Sequence, residues 1–558
     1  MVVENFRGIE HIDISFEQFT VLIGENNAGK STILDALRIC LDKVPAKRGY
    51  IFREQDFQGD PRKAISMELT LCVPDGDPDE ALIVRKLKRA LIVQGGTKEK
   101  SAVLSVKGTW NDLTGQASHT PAFINGSGAE LGLKHTHEAL NGLNELVTCK
   151  SLHANRTATR DFRPTAQFLA PILDGTQIDE AVAAEIEEEL DKLGERLVGA
   201  SSQLKCVVDE LLNLASMTDI DGSKNAIRVS PLPPSIKSLL QRTEVRIKNR
   251  VGIDMPISMH GAGTQSLAAF FLFSAFTKLA RTSGHILSVA CIEEPEAHLH
   301  PWAVSAATKA IKGVADQVIV ASHSGEILGG TNLTNLRRIY RCGSAHRIGE
   351  VPANAIDDGE ERRLHFHVFG HRGHLLFGRL WLLVEGETEF HVLPPIAEQM
   401  GKGFSQLGIY VIQYAQVGVE RLIELAKYLG IGWHVVADGD SAGNGYANKA
   451  RNHLGTRAES EMITQWTSPD IESVFWDNGF QSYYESNCPS QVLTTTNGIS
   501  DLAEKRKQRL KSALKSLTKP RAALEVVEAI RTDPSKTCPT EIEDAINTVT
   551  KIAEGLGK

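Results

Sequence analysis

Two short stretches of this 558-residue sequence carry side chains that could act on phosphate groups. The first is GENNAGKS at 24–31, where a glycine is followed, after four residues, by Gly-Lys-Ser. In such a loop the backbone N–H groups can point at phosphate, the lysine can reach the terminal phosphates, and the serine hydroxyl can bind Mg²⁺. We therefore predict an ATP site formed by Gly24, Asn26, Asn27, Gly29, Lys30, Ser31 and Thr32.

The second set consists of carboxylates in the segments EGETE (385–389), VVADGD (435–440) and SPDIESVF (468–475). Buried together, such acids repel one another unless a divalent cation compensates, and hard oxygen ligands without cysteine favour Mg²⁺ or Mn²⁺ over zinc. Two such metals can hydrolyse a phosphodiester, and in that interpretation Glu385 and Asp438 are catalytic. The expected ligands are Glu385, Glu389 and Asp438 on one metal, and Asp440, Asp470 and Glu472 on the other. The alternative is a set of solvated loop acids.

A nucleotide site also needs acids that position Mg²⁺ and water, and the run ILSVACIEEPEAHLHP (286–301) supplies them. Glu293 ends an apolar strand and can hold the magnesium shell, whereas Glu294 can polarise the attacking water. His323, in ASHS after a further apolar strand, is placed to sense the terminal phosphate. The alternative is an acidic first turn of a helix, which the helix dipole favours.

The elements around these residues follow from the periodicity of apolar side chains. A strand ending in FTVLIG (19–24) should enter the phosphate loop, and a helix should start near Ser31. Buried strands are predicted at 286–292, at 317–321 and before the two acidic turns, RLWLLV and WHVVA. ISMELTLCV (65–73) and ALIVRKL (81–87) are predicted as antiparallel strands around a polar turn. Residues 176–216 have a helical period, typical of either a coiled-coil-like arm or a plain helical insertion.

Taken together, the loop, the two glutamates and the histidine resemble the ABC-type ATPase heads of repair and chromosome-structure proteins. In those heads a signature loop from one copy caps the nucleotide held by another. HGAGTQSL (260–267) lies at the corresponding place and departs from the LSGG form of transporters, and Glu293 replaces the usual aspartate. By this resemblance the signature residues are Gly261, Gly263, Gln265 and Ser266.

The carboxylate segments resemble the Toprim fold, and an ABC-type head followed by Toprim resembles the OLD (overcoming lysogenization defect) nuclease family. The resemblance implies an α/β fold in which an ABC-type ATPase head with a helical insertion or dimerisation arm precedes a Toprim domain. The expected boundaries are 1–150 and 251–365 for the head, 151–250 for the insertion and 366–558 for the Toprim domain with a C-terminal helical segment.

The same resemblance implies an ATP-binding, metal-dependent DNA endonuclease of antiphage defence or DNA processing, similar to the ATPase-nuclease subunit of Gabija-type systems. Three alternatives come from other classes: a repair ATPase with a non-nuclease Toprim domain, a topoisomerase and a primase. The topoisomerase would need a nucleophilic tyrosine in a cleavage domain, and no winged-helix-like or zinc-binding segment is evident. The carboxylate half excludes a transporter ATPase.

The family also places a basic residue near the metals, and Lys519 is the expected one. It lies near the end of a segment, 504–521, with eight Lys or Arg against one Glu, which could grip DNA phosphates or form a solvated amphipathic helix. Expected partners are DNA, further copies of the chain in a dimer or higher oligomer, and a helicase-type protein.

The composition indicates the cellular compartment and argues against some classes of function. A net charge of −8 argues against coating nucleic acid by bulk charge, without excluding a local basic groove. Eight cysteines without a CxxC pair indicate a reducing, cytoplasmic compartment. The amino terminus does not resemble a signal peptide, and the apolar run 267–276 is too short to span a membrane, so no membrane partner is expected. His365, His367, His371 and His374 could form a metal site, but no acidic or cysteine partner accompanies them, so they are interpreted as structural or linker histidines.

Overall fold

A computed structural model describes residues 1–41, 52–57, 59–60, 63–93, 99–153, 178–205, 232–233, 235, 238–239, 246–248, 254–282, 285–370, 372–516, 519–533 and 535–556. The chain forms two compact units. The first comprises Met1–Ser151, Val289–Glu296 and Val304–Lys558, and the second comprises Leu152–Ser288 and Ala297–Ala303.

The strands, in chain order, are β1 (Val2–Phe6), β2 (Ile9–Asp13), β3 (Phe19–Gly24), β4 (Ile65–Val73), β5 (Leu91–Val93), β6 (Lys100–Gly108), β7 (Trp110–Asn111), β8 (Gln116–Ala117), β9 (Thr120–Ile124), β10 (Val147–Leu152), β11 (Arg246–Lys248), β12 (Asp254–Pro256), β13 (Leu287–Glu293), β14 (Gln317–Ala321), β15 (Leu336–Cys342), β16 (Ala345–Glu350), β17 (Leu380–Val384), β18 (Ile409–Gln413), β19 (Gly432–Ala437) and β20 (Ile463–Gln465). The helices are α1 (Lys30–Leu41), α2 (Glu80–Leu87), α3 (Leu133–Leu146), α4 (Glu180–Ala200), α5 (Ala262–Thr282), α6 (Pro301–Ile311), α7 (Gly325–Gly329), α8 (Asp358–Leu364), α9 (Glu387–Gln399), α10 (Val419–Tyr428), α11 (Ser441–Arg451), α12 (Glu459–Met462), α13 (Ile471–Phe475), α14 (Gln481–Glu485), α15 (Ser490–Thr496), α16 (Leu502–Ser516), α17 (Lys519–Thr532) and α18 (Thr540–Leu556).

Two six-stranded sheets form the head part of the first unit. One is antiparallel, with the order β2-β1-β4-β6-β5 and β9 on β6. The other has the order β10-β13-β14-β3-β15-β16, in which β13, β14, β3 and β15 are parallel. All six residues of β3 are buried, as expected for a central strand of a parallel sheet covered on both faces. The strands predicted at 19–24, 286–292 and 317–321 are confirmed.

The carboxyl-terminal part of the first unit contains a four-stranded parallel sheet with the order β18-β17-β19-β20. Every residue of β17 and β19 is buried, which explains why RLWLLV and WHVVA are almost continuously apolar. Helix α18 contributes the buried residues Ile542, Ile546 and Val549 to the same core. Because β17 and β19 are parallel neighbours, their carboxyl ends lie together at one edge of the sheet.

One sequence prediction is wrong. ALIVRKL forms helix α2 rather than a strand, and only β4 of the expected pair exists. Ile83 and Leu87, four residues apart, are buried on one helical face, whereas Val84 is exposed. The acidic residue Glu80 lies in the first turn and basic residues lie in the last, an arrangement that the helix dipole stabilises.

In the second unit, the described part of the 176–216 segment includes helix α4, in which Gly194 is the buried residue. The apolar run 267–276 lies inside helix α5, where Phe270 and Phe273 are buried and Phe271 is exposed. Over the residues described above, we find no helix with the length and apolarity that a membrane span requires. Of the four histidines considered structural, the side chain of His367 and all of His371 lie outside the described residues.

Candidate functional sites

The phosphate loop connects β3 to α1, and its backbone explains why glycine occurs at two positions. Gly24 has φ +153°, and a Cβ there would lie 2.4 Å from the Ile339 carbonyl oxygen. Gly29 has φ +100°, in the region that glycine adopts most readily. Asn27, with φ +63°, takes the left-handed conformation that asparagine tolerates better than most residues. These residue types therefore favour the observed conformation of the loop.

Lys30 is the first residue of α1 and is almost fully buried. Its Nζ donates to the carbonyl oxygens of Gly24, at 2.8 Å, and Glu25, at 2.9 Å, so that it spans the loop. Burial lowers the pKa of Lys30 to about 8, although the nearby carboxylates of Glu294, Glu25 and Glu296 oppose this shift. Ser31 and Thr32 occupy the first turn of α1, and Asn26 and Asn27 are exposed.

Glu293 is the last residue of β13, and Glu294 follows it with a positive φ of 42°. The Glu294 N–H donates to the Ala321 carbonyl oxygen at 2.8 Å, which fixes this strained backbone at the end of the neighbouring strand. Strained backbone of this kind clusters at functional sites. The Glu294 charge also acts on the pKa values of Lys30 and His323, so the structure brings these three predicted residues into one electrostatic environment.

His323 is positioned by Glu296, a residue that the sequence pattern did not single out. Glu296 Oε1 accepts hydrogen bonds from the backbone N–H of His323 at 2.8 Å and from Ser322 Oγ at 2.9 Å. Burial raises the pKa of Glu296, and it lowers the pKa of His323, as does the charge of Lys30. The imidazole stacks on Phe377, with ring centroids 6.0 Å apart. A signal for Glu296 is present in the sequence, because EEPE contains a third acid just after the first two.

The signature-type residues belong to the second compact unit. Gln265 Nε2 donates to the carbonyl oxygens of Ser258, at 3.1 Å, and His260, at 2.7 Å. Ser266 Oγ donates to the Ala297 carbonyl oxygen at 3.1 Å. Gly261 precedes helix α5, and Gly263 lies in its first turn, where a Cβ would come within 3.0 Å of the His298 carbonyl oxygen.

The second site lies at the carboxyl edge of the β17–β19 pair. Glu385 directly follows β17, and Asp438 directly follows β19. Gly386 precedes helix α9, whose first turn contains the buried Glu389. The parallel strands thus deliver acids that are 53 positions apart in the sequence to the same edge.

Asp438 has a strongly perturbed carboxyl group. Burial, followed by the charges of Glu389, Glu385, Asp470 and Glu472, raises the pKa of Asp438 to about 9. Its Oδ1 is buried and, among the residues the structure describes, has no hydrogen-bond partner. The structure therefore brings five of the six predicted carboxylates into one electrostatic environment.

The remaining acids also have local roles in the backbone. Asp440 Oδ1 accepts from the Gly443 N–H at 2.8 Å and caps α11, and Asp470 caps α13 in the same way through the Ser473 N–H. Glu472 is buried, and its Oε1 accepts from Thr388 Oγ1 at 2.8 Å. Thr388, which the sequence pattern did not single out, thereby joins the two acidic segments. In the described stretches, no three His, Cys, Asp or Glu side chains already surround one point as a metal site.

Two buried tyrosines, also not expected from the sequence, line the acidic edge. Tyr414 donates its hydroxyl to the Val436 carbonyl oxygen at 3.1 Å. Burial and the charges of Glu385, Asp438 and Glu389 raise its pKa. Burial together with Glu472 and Asp470 raises the pKa of Tyr484. Both phenols remain protonated at neutral pH.

The basic segment 504–521 divides into two kinds of side chain. Arg509 is buried, and it donates to Thr496 Oγ1 at 2.8 Å and to Asn497 Oδ1 at 2.7 Å besides pairing with Glu485. Arg506 pairs with Asp477. By contrast, Lys507, Lys511 and Lys515 are exposed at four-residue intervals on α16. The side chain of Lys519 lies outside the described residues, although its backbone begins α17.

Comparison with known proteins gives two family matches. The model described as "Protein of unknown function (DUF2813)" matches residues 1–374, and the model "Overcoming lysogenization defect protein-like, TOPRIM domain" matches residues 376–440. The sheet orders confirm the predicted α/β class, and the second match confirms an OLD-like Toprim domain after the amino-terminal part, for which an ABC-type ATPase head stays a prediction.

Three relatives extend over most of the chain. The protein YbjD of Escherichia coli (strain K12) is 26% identical over 99% of this chain and 98% of its own length. The Old nuclease of Escherichia phage P2 is 20% identical, covering 82% of this chain and 80% of its own. The endonuclease GajA of Bacillus cereus (strain VD045) is 21% identical, covering 79% of this chain and 74% of its own.

Proposed function

Since this chain belongs to the family described as protein of unknown function (DUF2813) and carries an OLD-like Toprim domain, we propose that it is a metal-dependent DNA endonuclease with an ATP-binding head. The related Old nuclease and endonuclease GajA support the class of reaction. The single observation that carries the proposal is the group of carboxylates around Asp438.

This group fits a divalent cation on physical grounds. Four further carboxylates act electrostatically on Asp438, and its Oδ1 has no hydrogen-bond partner in the described part of the chain. Such mutual repulsion is relieved by a cation, and an all-oxygen donor set suits Mg²⁺ or Mn²⁺. The residues that would hold one metal are Glu385, Glu389 and Asp438, and those for a second are Asp440, Asp470 and Glu472.

When bound, Mg²⁺ or Mn²⁺ would supply an activated water and neutralise charge on the scissile phosphodiester. The chain's own residues prepare the site. Thr388 holds the Glu472 carboxylate in place by donating its hydroxyl hydrogen bond. Tyr414 shares the electrostatic environment of Glu385 and Asp438 and is fixed by its own bond to the Val436 carbonyl oxygen. Lys519 would stabilise the charge of the transition state.

In the head, the proposed ligand is ATP with Mg²⁺. Lys30 and the loop N–H groups would hold the phosphates, with Ser31 and Glu293 on the magnesium side. Glu294 would accept a proton from the attacking water, and Glu296 would keep His323 directed at the terminal phosphate through the bonds described above. Because a signature-type loop acts on a nucleotide held by another copy, we also infer a dimer or a higher symmetric assembly. A role in antiphage defence with a helicase-type partner belongs to the same proposal.

Plasmid cleavage with Mg²⁺ or Mn²⁺ tests the nuclease site. Asp438→Ala and Glu385→Ala should each reduce nicking by about 10²-fold or more, because the scissile phosphate loses its charge compensation. Asp544→Ala, an exposed acid on α18, is the matched control and should cut normally. Asp438→Ala should melt no lower than the wild type in EDTA, since it removes a repelled buried carboxyl group. Equal cutting by wild type, Asp438→Ala and Glu385→Ala would favour the alternative, an ATPase with a non-nuclease Toprim domain.

Phosphate release and nucleotide binding test the head separately. Glu294→Gln should bind ATP but release phosphate slowly, because the amide keeps the shape of the carboxylate and cannot act as base. Lys30→Ala should weaken ATP binding itself. Hydrolysis at the wild-type rate by Glu294→Gln would assign the base to another residue.

A further inference from the structure

Within the first unit, a cavity of 660 Å³ lies between the outer side of the phosphate loop, the β15–β16 hairpin and the amino-terminal edge of the Toprim sheet. Its lining includes five cationic side chains and one carboxylate: Arg338, Arg341, Arg379, Lys427 and Arg457, with Glu25. For a chain with a net charge of −8, this is a strong local excess of positive charge. The cavity starts at Arg379 and Gly432, the opposite ends of β17 and β19 from the acids, so it is separate from the nuclease site.

Only one of the five cations has a carboxylate partner within ion-pair distance in the described residues, and that pair is Arg379 with Glu25. Arg341, Lys427 and Arg457 are exposed to solvent at the cavity. Their charges are open to a solute that enters from the surface. An anion bound there would gain attraction from several cations at once.

Arg338 gives the cavity a buried cationic wall. It is 4% exposed, and its guanidinium donates to the carbonyl oxygens of Leu429, at 3.1 Å, Gly430, at 2.9 Å, and Gly378, at 2.8 Å. Its Nε is buried and, within the described chain, has no acceptor. Burial lowers the pKa of Arg338 to about 10, which still leaves it charged at neutral pH. The guanidinium also lies 5.4 Å from the centre of the Tyr340 ring, and no carboxylate in the described chain pairs with it. A rigid guanidinium without a carboxylate partner favours an anion nearby.

We propose that this cavity is a second anion site, which binds a nucleoside polyphosphate separately from the ATP expected at Lys30. Its volume is within the range of small-molecule pockets, about 300–1,000 Å³, and is too small to hold a duplex. Arginine forks match phosphate oxygens, and the imidazole of His453, which also lines the cavity, can hydrogen-bond a sugar or base. The proposal goes beyond the nuclease and ATPase sites and does not depend on either reaction.

Occupancy of the cavity would act on the phosphate loop. A bound phosphate beside Arg379 competes with the Glu25 carboxylate for the same guanidinium. Glu25 follows Gly24 directly, and its carbonyl oxygen accepts from Lys30 Nζ. The ligand of this cavity would therefore alter the affinity of the phosphate loop for ATP. Bound ATP would alter the affinity of the cavity for its ligand by the same factor.

Calorimetric titration of the full chain tests the proposal, with sodium tripolyphosphate, ATP and a single-stranded oligonucleotide as probes. Wild type should bind about two ATP molecules per chain and Lys30→Ala about one. In the Lys30→Ala background, tripolyphosphate should still bind, and adding Arg341→Ala with Arg457→Ala should weaken it about tenfold or more. Adding Arg85→Ala with Lys134→Ala, two exposed cations elsewhere on the head, should change nothing.

Three outcomes would overturn the site. One is the absence of tripolyphosphate and ATP binding to Lys30→Ala, and another is binding that ignores the Arg341 and Arg457 changes. The third is binding of the oligonucleotide alone, which would make the cavity part of a DNA surface. Each result is independent of cleavage, so it is distinguishable from a failure of the proposed nuclease activity.

Discussion

Arg379 forms a two-point ion pair with Glu25, in which Nη2 lies 3.0 Å from Oε2 and Nε contacts Oε1. The hydrogen bond from Arg379 holds the pKa of Glu25 below its ordinary value. Glu25 follows the first glycine of the phosphate loop, and Arg379 precedes β17, the strand that ends at Glu385. One side-chain pair thus connects the predicted phosphate loop to the strand that precedes a candidate nuclease acid.

We predict that Arg379→Ala reduces the influence of ATP on DNA cleavage. The ratio of cleavage rates with and without ATP should approach one, while cleavage without ATP stays near the wild-type rate. The pair is partly exposed, so stability should change by less than about 1 kcal/mol. Arg421→Ala, which breaks another exposed ion pair, is the control and should keep the wild-type ratio. A ratio of one in the wild type, or an unchanged ratio in Arg379→Ala, would contradict this coupling.

Gly349→Ala should destabilise the joint between the head and the Toprim sheet. A Cβ at Gly349, in β16, would lie 2.4 Å from the Leu429 carbonyl carbon and oxygen at the end of α10. Relief of such a backbone clash costs about 1–3 kcal/mol, measurable as a lower midpoint in urea. Gly445→Ala is the matched control, because that position in α11 is open and alanine favours helix. Equal midpoints for both variants would rule out a close approach at this joint.

His434 should make the folded chain sensitive to acid. It is fully buried, with Nδ1 bonded to the Glu461 carbonyl oxygen and Nε2 to Thr464 Oγ1, both at 2.9 Å. Burial lowers the pKa of His434 to about 4, from an ordinary value of 6.5. The folded state favours the neutral ring of His434. The contribution of this ring to the free energy of unfolding is therefore complete above its ordinary pKa and is lost as the pH falls toward its pKa in the folded state.

Between these two pKa values of His434, the free energy of unfolding should fall by about 1.4 kcal/mol for each pH unit. Urea denaturation between about pH 7.5 and pH 5 measures it. His434→Phe should be less stable than the wild type at the upper end of this range and should show a flatter dependence on pH. Parallel curves for the two proteins would mean that His434 does not titrate in this window.

The exposed lysines of α16 should contribute to DNA affinity. Replacing Lys507, Lys511 and Lys515 by glutamine removes three cations from one helical face. The slope of log affinity against log salt should then fall by roughly 0.9 for each DNA phosphate that the helix no longer neutralises. Fluorescence anisotropy with a labelled duplex measures this slope. Replacement of Lys134, Lys309 and Lys551, which are exposed elsewhere, is the control. An identical slope in the two triple variants would show that α16 is a solvated helix that does not bind DNA phosphates.

Sequence patterns predicted the elements whose signal is local. The buried strands before Gly24, Glu293, Glu385 and Asp438 are largely apolar runs, and each ends at or just before the residue with the proposed chemistry. The helix at 81–87 was misassigned because a short apolar run fits both periods, and only the burial of Ile83 and Leu87 on one face decides between them.

Relationships between distant residues could not be predicted in this way. The bonds of Glu296 to His323 and of Thr388 to Glu472 depend on which strand ends meet at a sheet edge. The pairing of Glu25 with Arg379 spans 354 positions, and no periodicity encodes it. Likewise, the basic segment at 504–521 looked uniform in sequence, whereas the fold buries Arg509 and leaves Lys511 exposed.

The position of β3 in the head sheet constrains how the chain can fold during synthesis. β3 begins at Phe19, and it is hydrogen-bonded on one side to β14 and on the other to β15. Phe19 pairs with Val318 of β14. At about 5–20 residues per second, a ribosome needs roughly 15–60 s to make the intervening segment. Through that interval both edges of an apolar strand lack their partners, an arrangement that invites pairing with other chains. The Toprim strands, in contrast, all lie between Leu380 and Gln465, so this sheet can pair soon after its strands emerge, whereas β3 waits for strands made about 300 residues later.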